Sequence, residues 1–216
     1  MTARLLPDDA SGRAAAIEVL RAGGLVAMPT DTVYGVGVAL AAEDGLARLF
    51  AAKERPLDRA IVLLVADVEQ AASVGILSTT ARLLAARFWP GGLTLVLPQA
   101  PGGRLPSVLT AGAATIGVRV PDHDTPKELA RALGPLPVTS ANLSGRPDAL
   151  DATEVLAQLG SRVDLILDGG PVFAGIPSTV VDCTGQSPRV LRAGAIGSQA
   201  LAAVLAEAGS EHASGG

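Results

Sequence analysis

The chain has 216 residues, with 17 lysines and arginines against 21 aspartates and glutamates, for a formal net charge of −4. Hydrophobic residues make up 49%, aromatics only 2%, and Cys183 is the one cysteine. This composition excludes chain-wide disorder, a disulfide within the chain, a multi-cysteine zinc site and a surface built mainly to hold nucleic-acid phosphates; it also leaves few rings on which bases could stack.

A chain of this length can bury a sizeable core. The mean hydropathy of +0.41 comes from Ala, Val and Leu spread along the sequence. No apolar run reaches transmembrane length, and "MTARLLPDDASGR" lacks the core of a signal peptide. A reduced, cytoplasmic setting without membrane contact is the expectation.

In chain order, "SGRAAAIEVLRAGG" reads as a helix with Ser11 as N-cap, stopped by Gly23-Gly24. "LVAMP" is a short buried strand ended by Pro29. "EDGLARLFAAK" is a second helix with Leu46, Leu49 and Phe50 on one face. "IVLLV" is a continuous apolar run, as expected of a strand covered on both sides. "STTARLLAARFW" is a helix capped by Ser78 or Thr79 and ended by Pro90-Gly91-Gly92. "LTLVLP", "TIGVRVP", "LPVTS", "DLILDGG", "STVVD" and "RVLRAG" follow as short strands. "TPKELARAL" and "ATEVLAQLG" are helices between some of them, and "SQALAAVLAEAG" is a last helix. Helix and strand alternate without a repeat or a linker. The expectation is one α/β domain over 8–208, a twisted mixed sheet flanked by helices, with 209–216 as a flexible tail.

Several familiar chemistries are missing. Neither lysine follows a glycine, so there is no Walker A loop. "GVGVAL" has Leu40 where a dinucleotide fingerprint needs its third glycine. There is no Gly-x-Ser-x-Gly and no His-Glu-x-x-His. His123 reads as a loop residue, His212 lies in the tail, and Cys183 sits in a strand-like run, so a nucleophilic triad is disfavoured.

Polar clusters gather at strand ends instead, where open α/β sheets bind ligands. "PTDTVYGVG" supplies Thr30, Asp31 and Thr32, as a site or as a capped turn. "KERP" holds Lys53, one of only two lysines, and Arg55. Together they fit a polyphosphate grip, or cations decorating a helix C-terminus. Arg119 alternates with Val118 and Val120, and reaches either solvent or a substrate carboxylate. "VTSANLSGRPD" packs Thr139, Ser140, Asn142 and Ser144 before Gly145. "IPSTVVD" and "RVLRAG" add Ser178 and Arg192. Together these hydroxyls, amides and cations describe a site for a highly oxygenated anion such as a nucleotide.

Seven segments, "PTDTVYGVG", "KERP", "FWPGGLTLVL", "TIGVRVPDH", "TSANLSG", "PSTVVD" and "VLRAG", follow one another from Pro29 to Gly194. In this order and spacing the chain resembles the YrdC-like family of threonylcarbamoyl-AMP synthases. The resemblance implies the YrdC-like fold with a large concave cavity. It implies a reaction of L-threonine, bicarbonate and ATP that gives L-threonylcarbamoyl-AMP and pyrophosphate, with Mg2+ on the phosphates. The tRNA threonylcarbamoyl-transfer enzyme complex would then consume the adenylate for modification beside the anticodon.

Carried over by position, Lys53 and Arg55 would hold ATP phosphates as the catalytic cations, and Thr115, Ser140, Asn142 and Arg192 would complete the ATP site. Thr32, Arg119 and Ser178 would bind L-threonine, with Arg119 on its carboxylate and Val138 contributing backbone. Ala60 and Gly92 stand where the family often has proline, and no role carries to Leu64. Longer relatives add a C-terminal domain, which the short stretch after Gly194 is expected not to supply. Two rivals are a carbamoyl-adenylate-forming domain of the hydrogenase-maturation kind and a non-catalytic factor. The latter would bind tRNA or double-stranded RNA weakly, or serve ribosome assembly, through the same cavity.

Overall fold

The computed structural model describes residues 2–102 and 105–213. Its elements in chain order are β1 (Arg4–Pro7), α1 (Ala10–Arg21), β2 (Val26–Met28), β3 (Gly35–Gly37), α2 (Gly45–Lys53), β4 (Val62–Leu64), α3 (Val68–Val74), α4 (Thr79–Phe88) and β5 (Leu93–Pro98). There follow α5 (Ser107–Thr110), β6 (Thr115–Arg119), α6 (Asp124–Leu133), β7 (Leu136–Ser140), α7 (Ala152–Leu159), β8 (Leu165–Asp168), β9 (Thr179–Asp182), β10 (Arg189–Arg192) and α8 (Ser198–Ala213). The strands join in one mixed sheet of order β1-β8-β2-β3-β7-β4-β6-β5-β9-β10. The α/β class with a mixed sheet agrees with the sequence reading.

Strand alternation explains the two-sided core. Along β2, Leu25 and Ala27 join one apolar cluster, while Val26 and Met28 join the other. β4 behaves the same way: Ile61, Leu63 and Val65 face one cluster and Leu64 faces the other. The second cluster includes Ala16 and Leu20 of α1 and Leu129 of α6. These helices pack over β8, β2 and parts of β7 and β4, and the rest of that face, including other parts of β7 and β4, opens into a cleft. The uncovered part is where the site forms.

Some elements differ from expectation. Asp9, not Ser11, caps α1: its carboxylate accepts from Gly12 N at 2.8 Å, and Ser11 falls inside the first turn. β1, β3, α3 and α5 are additional. β1 is a mostly exposed edge strand ending in proline, and β3 reads Gly-Val-Gly, so neither carries a strand composition. The glycines of β3 are demanded by close packing. A Cβ at Gly35 or Gly37 would lie 2.7 or 2.8 Å from a methyl of Val138 on the neighbouring strand. α8 continues to Ala213, into the stretch expected to be a tail, and 214–216 lie outside the described residues.

Candidate active site

A cleft of about 410 Å³ opens on the uncovered sheet face. Its floor is made by alternate residues of five strands: Val62 and Leu64, Thr94 and Val96, Thr115, Gly117 and Arg119, Val138 and Ser140, and Val180. Period-two geometry puts each set on one side, and the register aligns them, with Leu64 beside Arg119 and Val96 beside Gly117. Gly117 keeps the floor low. A side chain there would start 3.4 Å from Val62 and 3.5 Å from Thr94 and stand up among the lining residues.

Arg119 is 6% exposed and lines the cleft, so the solvent-facing alternative is excluded. Its Nε donates to Gly91 O at 2.9 Å, Nη1 to Thr32 Oγ1 at 2.8 Å and Nη2 to Asp31 Oδ1 at 2.6 Å. Three of its five N–H groups are thereby fixed, and one on each terminal nitrogen stays free for an acceptor. Burial lowers its pKa, and the Asp31 carboxylate opposes that shift, so the guanidinium stays charged. The loop beneath is wound by Thr30, whose Oγ1 donates to Val33 O at 2.6 Å and accepts from Thr32 N at 3.2 Å. Ser178 pairs its hydroxyl with Thr94 Oγ1 at 2.8 Å. Val138 lies between β3 and β4 in the sheet with its side chain on the cleft.

Two further arginines stand on the lining. Arg192 donates through Nε and Nη2 to Ser178 O at 3.1 and 2.7 Å, and Nη2 also reaches Ser178 Oγ at 3.1 Å. Arg55 folds its fork onto Arg59 O at 3.1 Å and Ala60 O at 2.7 Å. Burial lowers both pKa values, helped at Arg55 by Arg59 and opposed at Arg192 by Asp148. Thr115 and Ser140 complete the oxygen-rich wall. Asp148 is the one carboxylate among the described lining residues, so three guanidinium groups give this cleft a positive interior within an acidic protein.

Lys53 and Asn142 do not line the cleft. Lys53 is 1% exposed and points away, into the turn after β7. Its Nζ donates to Ser140 O, to Asn142 O at 2.6 Å and to Asn142 Oδ1 at 3.3 Å. Asn142 Oδ1 also accepts from Ser140 Oγ at 2.5 Å, and its Nδ2 donates to Leu143 O at 3.0 Å and Arg146 O at 2.7 Å. The reason lies at the end of α2. Lys53 lies on the buried face of α2 with Leu46, Leu49 and Phe50, which puts it behind the wall, and the left-handed Glu54, φ 51°, then turns the chain so that Arg55 meets the cleft.

Three residues that shape the site have partners the sequence does not announce. Asp31 is the counter-charge of Arg119, and its place in Pro-Thr-Asp-Thr reads equally as a turn. Thr94 is one polar residue in an apolar strand, and such an isolated buried threonine was the available clue. Tyr34, fully buried, donates its hydroxyl to Gly170 O at 2.8 Å and accepts from Gly169 N at 3.1 Å, pinning the start of the loop that ends at Ser178. Burial pushes this phenol up to about 12. Away from the cleft, His123 caps α6 through Nδ1, and burial raises the Cys183 thiol to about 11, an inert state.

The Sua5/YciO/YrdC family model, described as "Telomere recombination", matches residues 18–194. The chain belongs to this family. It is 40% identical over 194 residues to a Bacillus subtilis threonylcarbamoyl-AMP synthase, covering 89% of this chain and 56% of that protein. A putative threonylcarbamoyl-AMP synthase of Mycobacterium tuberculosis is 41% identical over 195 residues, covering 90% of this chain and 89% of that protein. The crystal structure of Pyrococcus abyssi Sua5 complexed with L-threonine superposes with a TM-score of 0.87 at 35% identity, covering 94% of this chain and 60% of that one. The chain thus spans little more than half of the longer Sua5-type relatives and most of the mycobacterial one. Among the described residues no helix is long and apolar enough to cross a membrane.

Proposed function

We propose that this cleft makes L-threonylcarbamoyl-AMP from L-threonine, bicarbonate and ATP, releasing pyrophosphate. The observation that carries the reading is Arg119. It is a buried guanidinium held by Asp31, Thr32 and Gly91 O with two N–H groups unassigned, at the floor of a hydroxyl-lined, arginine-rich cleft. A planar fork of that kind matches a carboxylate. In this reading Thr32, bonded to Arg119, and Ser178 and Val138, on the same cleft, would hold L-threonine. Arg55, Arg192, Thr115 and Ser140, also on the lining, would hold ATP.

In this reading the threonine amine adds to carbon dioxide derived from bicarbonate and loses a proton, giving a carbamate. A carbamate oxygen forms a bond to the α-phosphorus of ATP as the bond to pyrophosphate breaks. The protein supplies no nucleophile. It supplies alignment and positive charge facing the leaving group.

Among the described residues no cluster of three or more His, Cys, Asp and Glu side chains could cage a metal. Mg2+ would enter as a companion of the triphosphate and offset phosphate charge, with Asp148 the one carboxylate among the described lining residues to meet it. The transfer of the product onto tRNA by a partner enzyme complex, and a cytoplasmic location, belong to the same proposal. The test follows pyrophosphate with ATP, bicarbonate and each amino acid in turn. Threonine is expected to give release well above alanine or serine, and equal release with all three removes the substrate assignment.

A further inference from the structure

Lys53 is a buried ammonium whose three hydrogen-bond partners are all neutral oxygens: Ser140 O, Asn142 O and Asn142 Oδ1. An ammonium has three donors, so none remains for a ligand. The residue is also fixed through its backbone, since Lys53 O accepts from Ser144 N at 3.0 Å. It thus ties the end of α2 to three successive parts of the turn after β7. That turn carries Ser140 onto the cleft and, through Asn142 Nδ2 and Arg146 O, leads to Asp148. To reach a phosphate the ammonium would have to leave these oxygens unpaired in a buried turn, which opposes the move.

We propose that Lys53 is a positioning residue: it acts on a bound nucleotide only through the Ser140–Asn142 turn, while Arg55, two residues on and across the left-handed Glu54, is the cation that meets phosphate. This rests on the nucleotide-binding reading above and sharpens it. It separates the two cations of Lys-x-Arg into a wall brace and a ligand contact. Lys53 supports the oxygen wall irrespective of how many phosphates the nucleotide carries.

Two experiments test it on the full chain. First, the wild-type protein is reductively methylated with formaldehyde and borohydride, with and without ATP, and the two lysines are read by peptide mass spectrometry. Lys127, part-exposed beside Asp124, should be methylated, and Lys53 should stay unmodified in both samples. Methylation of Lys53 that ATP suppresses would place its ammonium on the cleft and overturn the proposal.

Second, AMP, ADP and ATP are titrated into wild type, Lys53→Met and Arg55→Ala. Lys53→Met should weaken all three by the same factor, roughly tenfold, the scale of one or two lost hydrogen bonds. Arg55→Ala should weaken ATP far more than AMP. A Lys53→Met loss that grows with phosphate number, or no loss in a folded variant, overturns the positioning role. If Lys53→Met does not fold, the methylation result decides alone. Wild type that binds no nucleotide would instead sink the functional reading, and the apo methylation pattern tells the two failures apart.

Discussion

Arg119 and Lys53 are the two buried cations among the described residues, at 6% and 1% exposure, and they are held in opposite ways. Arg119 has a carboxylate partner, Asp31, and more donors than partners. Lys53 has only neutral acceptors and no donor left over. The first is a charge presented to a cavity, and the second is a charge built into a wall. Counting donors against partners separates the two where residue type and burial do not.

The sharpest break of that comparison is at Arg119. Arg119→Ala should lower kcat/KM for threonine by roughly a hundredfold or more, since it removes charge-assisted bonds and leaves Asp31 without its partner. Arg119→Lys should fail nearly as badly, because a point charge cannot keep Gly91 O, Thr32 and Asp31 and still offer two donors. Near-normal turnover in the lysine variant would show that the fork geometry is dispensable. Next comes Arg55→Ala, with a loss of roughly tenfold to a hundredfold in activity concentrated in the ATP dependence. Arg21→Ala, an exposed pair with Glu18 far from the cleft, serves as the unchanged control.

Lys53→Met should register in stability as well as binding, by about 2 kcal/mol in a urea titration, because it strips the turn's buried oxygens of their donor. Its pH dependence has a definite sign. Burial, with the Arg55 charge, lowers Lys53 from 10.5 to about 8, against Asp148. Below about 8 the folded and unfolded chains both hold the proton and the burial penalty is complete. Between about 8 and 10.5 the unfolded chain holds more protons, so this site's contribution to stability rises with pH. The stability gap between wild type and Lys53→Met should therefore widen over that range, and a flat or shrinking gap argues against the depressed pKa. Smallest is Ser78→Ala at the N-cap of α4, where losing the bond to Ala81 N should cost about 1 kcal/mol and leave turnover unchanged.

Much of this was legible in the sequence, for identifiable reasons. The apolar run Ile61 to Val65 predicted a strand covered on both sides, and both clusters claim it. Hydroxyls and arginines at strand ends pointed to the cleft, and most of them line it. The strand order was not readable, because pairing β3 between β2 and β7 depends on Gly35 and Gly37 making room for Val138. The direction of Arg55 was not readable either: Lys53 keeps the helical phase of Leu46, Leu49 and Phe50, but Arg55 follows one left-handed residue, Glu54, and nothing in glutamate's chemistry announces a positive φ. Asp31 stood in the first polar cluster, but its pairing with Arg119 was not readable because the two lie 88 residues apart.

The central claim is that this cleft joins threonine, bicarbonate and AMP in one product. Incubation with ATP, L-threonine and carbon-13-labelled bicarbonate, followed by rapid mass spectrometry, tests it directly. The account predicts a threonylcarbamoyl-adenylate that carries the label in its carbamoyl carbon and is missing in Arg119→Ala. Pyrophosphate release without a labelled adenylate, or a labelled product that persists in Arg119→Ala, would contradict it.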